Sequence, residues 1–199
     1  LSGVIDLATG TGKSYVLYGI AQIMLAIGLV KRVLLLCPSV TIERELRNKF
    51  VLLASRADLK AYIPSWCVIK NPRIIDANVT IKSGDICIEN IHAVYENTGS
   101  SINDSFINGG SDTLVLNDEI HHAYNVSSDK DIKKWKQFLL GKNCFKYIIG
   151  TTGTAYIEND YFTDVIYRYS LRKAIDDGVV KMVEYVAKDE GLDQNAKFQ

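Results

Sequence analysis

Short apolar runs and longer helical segments alternate along this chain. Val4-Ile5-Asp6-Leu7 is the first run and has the length of a strand. A stretch from about Lys13 to Ile27 follows, apolar on nearly every side, as suits a helix packed tightly on a sheet. Gly28 supplies its stop. After the polar turn Lys31-Arg32 comes Val33-Leu34-Leu35-Leu36-Cys37, a continuous apolar run typical of a strand buried on both faces. Pro38-Ser39 ends that run. Thr41 is placed to cap a helix from Ile42 to about Ser55, with Glu43 and Glu45 in its first turn. Strand, helix, strand, helix in succession predicts a parallel sheet with right-handed crossovers.

The pattern weakens after Asp58. Ala61 to Ile69 and Val79 to Ile81 read as strands, and Asn71-Pro72 as a turn. Asp85 to Glu89 reads as a further strand, and Ile91 to Tyr95 as a short turn or helix. Asn97 to Asp112, rich in Ser, Asn, Gly and Asp, reads as a flexible surface loop. Thr113 to Leu116 is another buried run, Asp129 to Leu140 an amphipathic helix, and Phe145 to Gly150 a strand. Tyr161 to Asp177 is aromatic and then helical, and Gly178 breaks it. Val179 to Ala187 alternates like a strand leading out of the domain, and Lys188 to Gln199 is a polar tail. There is no internal repeat.

Composition changes this picture little. Of 199 residues, 47% are hydrophobic and 23% charged, as in an ordinary globular protein. The 23 basic and 23 acidic side chains cancel. Global charge therefore gives no case for nucleic acid, and any such case must come from motifs. Cys37, Cys67, Cys87 and Cys144 stand singly, with no C-x-x-C pair; small buried thiols in a reducing compartment are expected rather than disulfides or zinc. The run from Tyr15 to Val30 contains Gln22 and is short for a bilayer, so a core helix is expected and no membrane partner. The chain opens on Leu1, at a core strand and without a methionine, as a piece of a longer protein would.

The chemistry concentrates at three turns. Thr9-Gly10-Thr11-Gly12-Lys13-Ser14 lies between the first strand and the first helix. Glycines let a backbone turn tightly and approach a ligand, and the turn aims N–H groups at one point near the positive end of a helix dipole. A polyphosphate fits that point: Lys13 would reach the β- and γ-phosphates and the Ser14 hydroxyl would ligate Mg²⁺. The general pattern G-x-x-x-x-G-K-[ST] would put its first glycine on Leu7, which argues against a small kinase or GTPase. The second turn follows Leu116. Acidic residues at the carboxyl end of a buried parallel strand sit where such sheets bind ligands. Asp118 is placed to serve Mg²⁺ and Glu119 to orient and deprotonate a water. His121 and His122 lack the spacing of a zinc site, and a polar coupling role suits His121 better; His92 belongs to no motif. The third turn is Thr151-Thr152-Gly153-Thr154-Ala155.

A-T-G-T-G-K-S, C-P-S-V-T-I, D-E-I-H and T-G-T-A together resemble motifs I, Ia, II and III of superfamily two helicases of the DEAD/DEAH group. The resemblance covers nearly the whole chain. Pro38-Ser39 through Phe50, the D-E-I-H-H-A-Y box and Tyr161 to Tyr167 look like the Res (motor and nuclease) subunit of type III restriction enzymes. The resemblance implies an α/β fold: a RecA-like P-loop NTPase domain, mostly parallel β-sheet with helices on both faces. Residues 1–178 would be the first of two motor domains, and 179–199 a linker or the start of a second. It implies ATP and Mg²⁺ as cofactors, with Lys13 on phosphate, Ser14 and Asp118 on the metal, and Glu119 as catalytic base. His121, Thr152, Gly153 and Thr154 would couple hydrolysis to movement. Pro38, Ser39 and Thr41 would contact the phosphate backbone of the tracked strand, a sequence-blind contact; stopping a strand and capping a helix account for the same residues.

The implied activity is ATP-dependent translocation on duplex DNA, within a restriction endonuclease that pairs with a DNA methyltransferase (modification) subunit in the cytoplasm. A helicase or remodeller acting on RNA or in repair is the alternative. A non-hydrolysing nucleotide-dependent binding module would be free to lose Lys13, Asp118 and Glu119, which are all intact, and a P-loop kinase would leave D-E-I-H and T-G-T-A as coincidence. No nuclease motif of the P-D…D/E-x-K kind can be assembled, and no second motor domain with its arginine finger lies in these residues. Nucleotide binding with slow hydrolysis by this piece alone is therefore expected.

Overall fold

The computed structural model describes residues 2–69, 72–94, 100–124, 130–141, 143–157, 160–161 and 164–182. Strand β1 (Ser2–Leu7) leads into helix α1 (Lys13–Ala26), which ends at Ile27 and Gly28, the glycine at φ 72°. Strand β2 (Arg32–Cys37) leads into α2 (Val40–Ser55), followed by the short α3 (Ala57–Lys60). Then come β3 (Arg73–Ile75), β4 (Asp85–Asn90), a 3₁₀ turn (Ile91–Val94) and α4 (Ile102–Ser105). The second half holds β5 (Thr113–Asp118), α5 (His121–Tyr124), α6 (Lys130–Leu140) and β6 (Tyr147–Thr152). A small antiparallel pair, β7 (Tyr156–Ile157) and β8 (Asp160–Tyr161), precedes β9 (Val165–Tyr169) and α7 (Leu171–Asp176).

Seven strands form one sheet in the order β3-β4-β2-β5-β6-β1-β9, and every pairing in it is parallel. The continuous apolar runs are explained by burial on both faces. Leu34, Leu36, Cys87 and Val115 pack with Ile102, Phe106, Trp135 and Phe138 on one face. Val33, Leu35, Ile86, Ile88, Leu114 and Leu116 pack with Leu17, Ala21, Leu46 and Phe50 of α1 and α2 on the other. Parallel order puts the ends of β1, β2, β5 and β6, and hence every motif turn, at one edge of the sheet.

Several expectations are corrected. Ser39, not Thr41, caps α2: its Oγ accepts from Ile42 N at 3.3 Å, and the helix begins two residues earlier than expected. Ala61 to Ile69 is not a strand. Pro64 cannot donate to a ladder, Ser65–Cys67 turns as a 3₁₀ helix, and of this segment's side chains only Cys67 is fully buried. Val79 to Ile81 is likewise not a strand; one edge strand is β3, and Asn71 of the expected Asn71-Pro72 turn lies outside the described residues. The supposed surface loop before Asp112 carries core residues, Ile102 and Phe106, and Arg32 staples it by donating to Ser105 O (2.6 Å), Gly109 O (3.2 Å) and Asp112 Oδ1 (2.6 Å). Within the aromatic segment after Tyr161, Val165–Tyr169 is a strand beside β1. Val179–Met182 has no strand, and 183–199 lie outside the described residues. Cys37, Cys67 and Cys87 are buried free thiols, whereas Cys144 is exposed in the turn before β6. Among the described residues no helix is long and apolar enough to cross a membrane.

Candidate active site

Gly10 and Gly12 have φ of 82° and 93°, a region in which a side chain would strain the backbone, so the loop from Ala8 to Lys13 depends on glycine at both places. Thr11 closes the loop by donating N–H and Oγ1–H to Ala8 O, at 3.3 and 2.6 Å. Ala8 N in turn donates to Tyr169 O at 3.1 Å, so β9 supports the loop from behind. Gly12 is the N-cap of α1 and offers no side-chain acceptor, and the first turn carries no acidic residue. The first N–H groups of a helix have no partner within it. Here Tyr15 N already donates to Gly12 O at 2.9 Å, so the groups that can face an external anion, at the positive end of the helix dipole, are those before it.

Asp118 closes β5 and is buried; its Oδ1 accepts from Thr151 Oγ1 at 3.0 Å. Burial, and then the adjacent Glu119 carboxylate, push Asp118 above the usual carboxylate range. Glu119 stands at φ 53°, a left-handed conformation uncommon for a residue with a Cβ. That conformation turns the chain sharply at the strand end: Ile120 N donates to Thr151 O (3.0 Å) and His122 N to Glu119 O (3.1 Å). It also brings the Glu119 carboxylate onto Lys13 Nζ, across 106 residues of sequence.

The third turn joins the same array. His121 Nδ1 lies 2.9 Å from Thr152 Oγ1 and 3.4 Å from Glu119 Oε2. Thr154 N donates to Thr152 Oγ1 at 3.0 Å, which fixes the turn. A Cβ added at Gly153 would stand 3.3 Å from Thr9 Oγ1 and 3.4 Å from Leu7 O, so glycine lets this turn lie against the first. Burial, followed by the neighbouring His122 ring, holds the His121 pKa below its ordinary value. Lys13, Asp118, Glu119, His121, Thr152 and Gly153 are thus assembled at one place. Ser14 lies at the start of α1, half-buried. Pro38 and Ser39 are half-buried and Thr41 is exposed, at the end of the neighbouring β2, with the Ser39 hydroxyl engaged in the cap.

Other residues that shape the site were not singled out by motif. Asn117, fully buried beside Asp118, accepts from Trp135 Nε1 at 3.1 Å and ties α6 to the end of β5; its Nδ2 is buried without a partner among the described residues. A Cβ at Gly150 would stand 2.5 Å from Ile120, so only glycine lets the acidic turn pack on β6. The signals for both were an asparagine and a glycine inside apolar strand runs. Arg168 Nε donates to the buried Asp6 at 3.0 Å, holding β9 on β1 under the loop.

Solved structures with this fold include the UvsW helicase from bacteriophage T4, at a TM-score of 0.50 and 14% identity over 84% of this chain and 54% of that one. A nuclease-deletion mutant of the type ISP restriction-modification enzyme LlaGI, in complex with a DNA substrate mimic, matches at 0.55 and 12% over 89% of this chain and 18% of that one. The chain therefore spans about 54% of the first structure's length and 18% of the second's. At such identities the likeness shows the fold alone, a RecA-like parallel sheet with helices on its faces. No curated protein matches the chain. The sequence profile described as "Type III restriction enzyme, res subunit" matches residues 1–157, well over half the chain and all three motif turns. This chain belongs to the family of type III restriction enzyme res subunits.

Proposed function

We propose that residues 1–178 are the first motor domain of an ATP-driven translocase on duplex DNA, and that 179–199 lead to a second. The observation that carries this reading is the meeting of Lys13 and Glu119 between a glycine loop and a strand end, with His121 and Thr152 hydrogen-bonded beside them. Thr9, Gly10, Thr11, Gly12, Lys13 and Ser14 cradle the ATP phosphates through backbone N–H groups, and Lys13 meets the β- and γ-phosphate oxygens. The Ser14 hydroxyl and Asp118 would hold Mg²⁺. The donors fit: two adjacent carboxylates, one buried and held above its usual pKa by that burial and by its neighbour, call for more positive charge than Lys13 supplies. Bound there, Mg²⁺ would neutralise charge on the transferring phosphoryl group.

Glu119 leaves Lys13 when phosphate takes its place, and then orients and deprotonates the attacking water. His121 and the Thr152-Gly153-Thr154 turn pass the change at the γ-phosphate toward the nucleic-acid side. The half-buried Pro38 and Ser39 and the exposed Thr41 meet the DNA backbone at the start of α2, where the helix N-terminus favours an anion. Membership of the res family supports a role within a restriction endonuclease, working with a DNA methyltransferase (modification) subunit.

The test is ATP hydrolysis by the full-length protein with and without duplex DNA, beside Glu119→Gln. Duplex DNA should stimulate the wild-type protein. The variant should bind ATP and lose turnover by about 10²–10⁴-fold, the usual weight of a positioned general base. Stimulation by RNA and not by duplex DNA would retain the ATPase and remove the restriction role. Equal turnover by Glu119→Gln would refute the catalytic assignment.

A further inference from the structure

Strand β5 buries an amide among aliphatic side chains. Leu114 and Leu116 face α1 and α2, while Val115 packs with Trp135 and Phe138 of α6 in the opposite layer. Asn117 falls two residues after Val115, on the α6 side, and is fully buried. An amide taken out of water costs stability unless its hydrogen bonds are replaced. Trp135 Nε1 replaces one, donating to Asn117 Oδ1 at 3.1 Å. An indole N–H can only donate, so it fixes which amide atom faces it. Asn117 Nδ2 is thereby turned away, buried and without a partner among the described residues. Two apolar side chains in these places would hold the layers together at least as well. What the bond adds over apolar packing is direction, because a hydrogen bond accepts a narrow range of geometry.

The chemistry of the site stands next to it. Asp118 follows directly, on the other face of the strand, and accepts from Thr151 Oγ1 at 3.0 Å. Glu119 then reverses the chain and α5 follows. Helix α6 is followed in turn by β6, which ends in Thr151 and Thr152. The bond from Trp135 therefore ties the strand end that bears both carboxylates to the helix lying in sequence between the acidic turn and the third turn.

From this we infer that Asn117 and Trp135 are positioning residues. Their hydrogen bond sets the angle at which β5 ends, and with it the places of the Asp118 and Glu119 carboxylates opposite the glycine loop. This rests on the ATPase reading, and adds to it two residues that act from the core beneath the nucleotide.

The test is a double-mutant cycle in the full-length protein, read by ATP turnover with duplex DNA and by urea denaturation. Trp135→Phe removes the N–H and keeps a ring; Asn117→Leu removes the amide at nearly constant volume. Each alone should lower kcat roughly tenfold and leave KM for Mg²⁺-ATP within about twofold, because a displaced reacting group costs rate more than binding. Each should also lower the urea midpoint, since one polar partner is left stranded. The double variant strands neither, so its midpoint should recover while kcat stays low. Recovery of kcat together with the midpoint would make the pair structural and overturn the inference. So would single variants whose kcat is unchanged, or whose KM rises instead. Trp135→Phe decides this by itself should the double variant fail to fold. Absence of turnover in the wild-type protein would overturn the ATPase reading and the inference together; turnover that Glu119→Gln abolishes and Trp135→Phe leaves intact would overturn the inference alone.

Discussion

Glu119 shows how much of the site rests on one backbone conformation. At φ 53° it reverses the chain directly after β5, and the same turn places His121 against Thr152. His121 is mostly buried, with Glu119, Lys13 and His122 as its charged or titratable neighbours. Desolvation, then the His122 ring, lowers its pKa below 6.5; Glu119 opposes this without reversing it. The native state therefore holds fewer protons at this ring than the unfolded chain does. Its contribution to stability is complete above the unfolded pKa and is lost as pH falls through the lower native one. Urea midpoints should drop between about pH 7.5 and 5.5, and His121→Gln should flatten that part of the curve. An identical slope in the variant would assign the loss to other groups. The residues that the three motif turns bring together, Lys13, Glu119, His121 and Thr152, were legible from the sequence, because the motifs put fixed types at fixed spacings. Asn117, Gly150 and Trp135 were not. Their importance comes from what packs on them, which only the fold reveals.

Regular elements were legible where periodicity was long, and unreliable where single side chains make the structure. The buried runs of β2, β4 and β5 and the pattern of α6 announced themselves. The segment before Asp112 did not: a polar composition hid Ile102 and Phe106, and a distant arginine orders it. Arg32 has a mostly buried side chain that reaches Asp112 and two carbonyls, and its guanidinium lies 5.0 Å from the Phe106 ring centroid. Arg32→Ala would leave those acceptors without a donor. Asp112 is partly solvated, so the loss is discounted to about 2 kcal/mol, read as a lower urea midpoint with unchanged slope. Arg32→Lys should recover only part of it, since one ammonium cannot span the planar fork of contacts. Full recovery by lysine would reduce the staple to its charge. The reading of Ala61 to Ile69 as a strand failed for a related reason. β-branched and aromatic residues suit strands, but Pro64 and the 3₁₀ turn after it break the ladder, and the rings face water instead.

The whole sheet sets how ligand binding and folding are linked. The glycine loop follows β1 and the acidic pair sits at the end of β5, and β6 lies between those two strands in the sheet. β1 meets β5 only through β6, and β9 is its other neighbour. A nucleotide held by Lys13, Ser14 and Asp118 would tie the two outer strands across the third, and would do so only in the folded chain. Binding to the native state alone adds RT ln(1 + [L]/Kd), about 2.7 kcal/mol at a hundredfold excess over Kd. For a domain of this size that corresponds to a rise in Tm of roughly 5–10 °C. Mg²⁺-ATP should produce such a rise, and chelating the metal should reduce it. Lys13→Ala should abolish it. Glu119→Gln should retain it, because the amide no longer pairs electrostatically with Lys13 and leaves the lysine to the phosphates. The two variants thus separate binding from chemistry in a measurement that needs no turnover. A rise that survives Lys13→Ala would move the nucleotide away from the glycine loop, and would strip the residues around Glu119 of their part in hydrolysis.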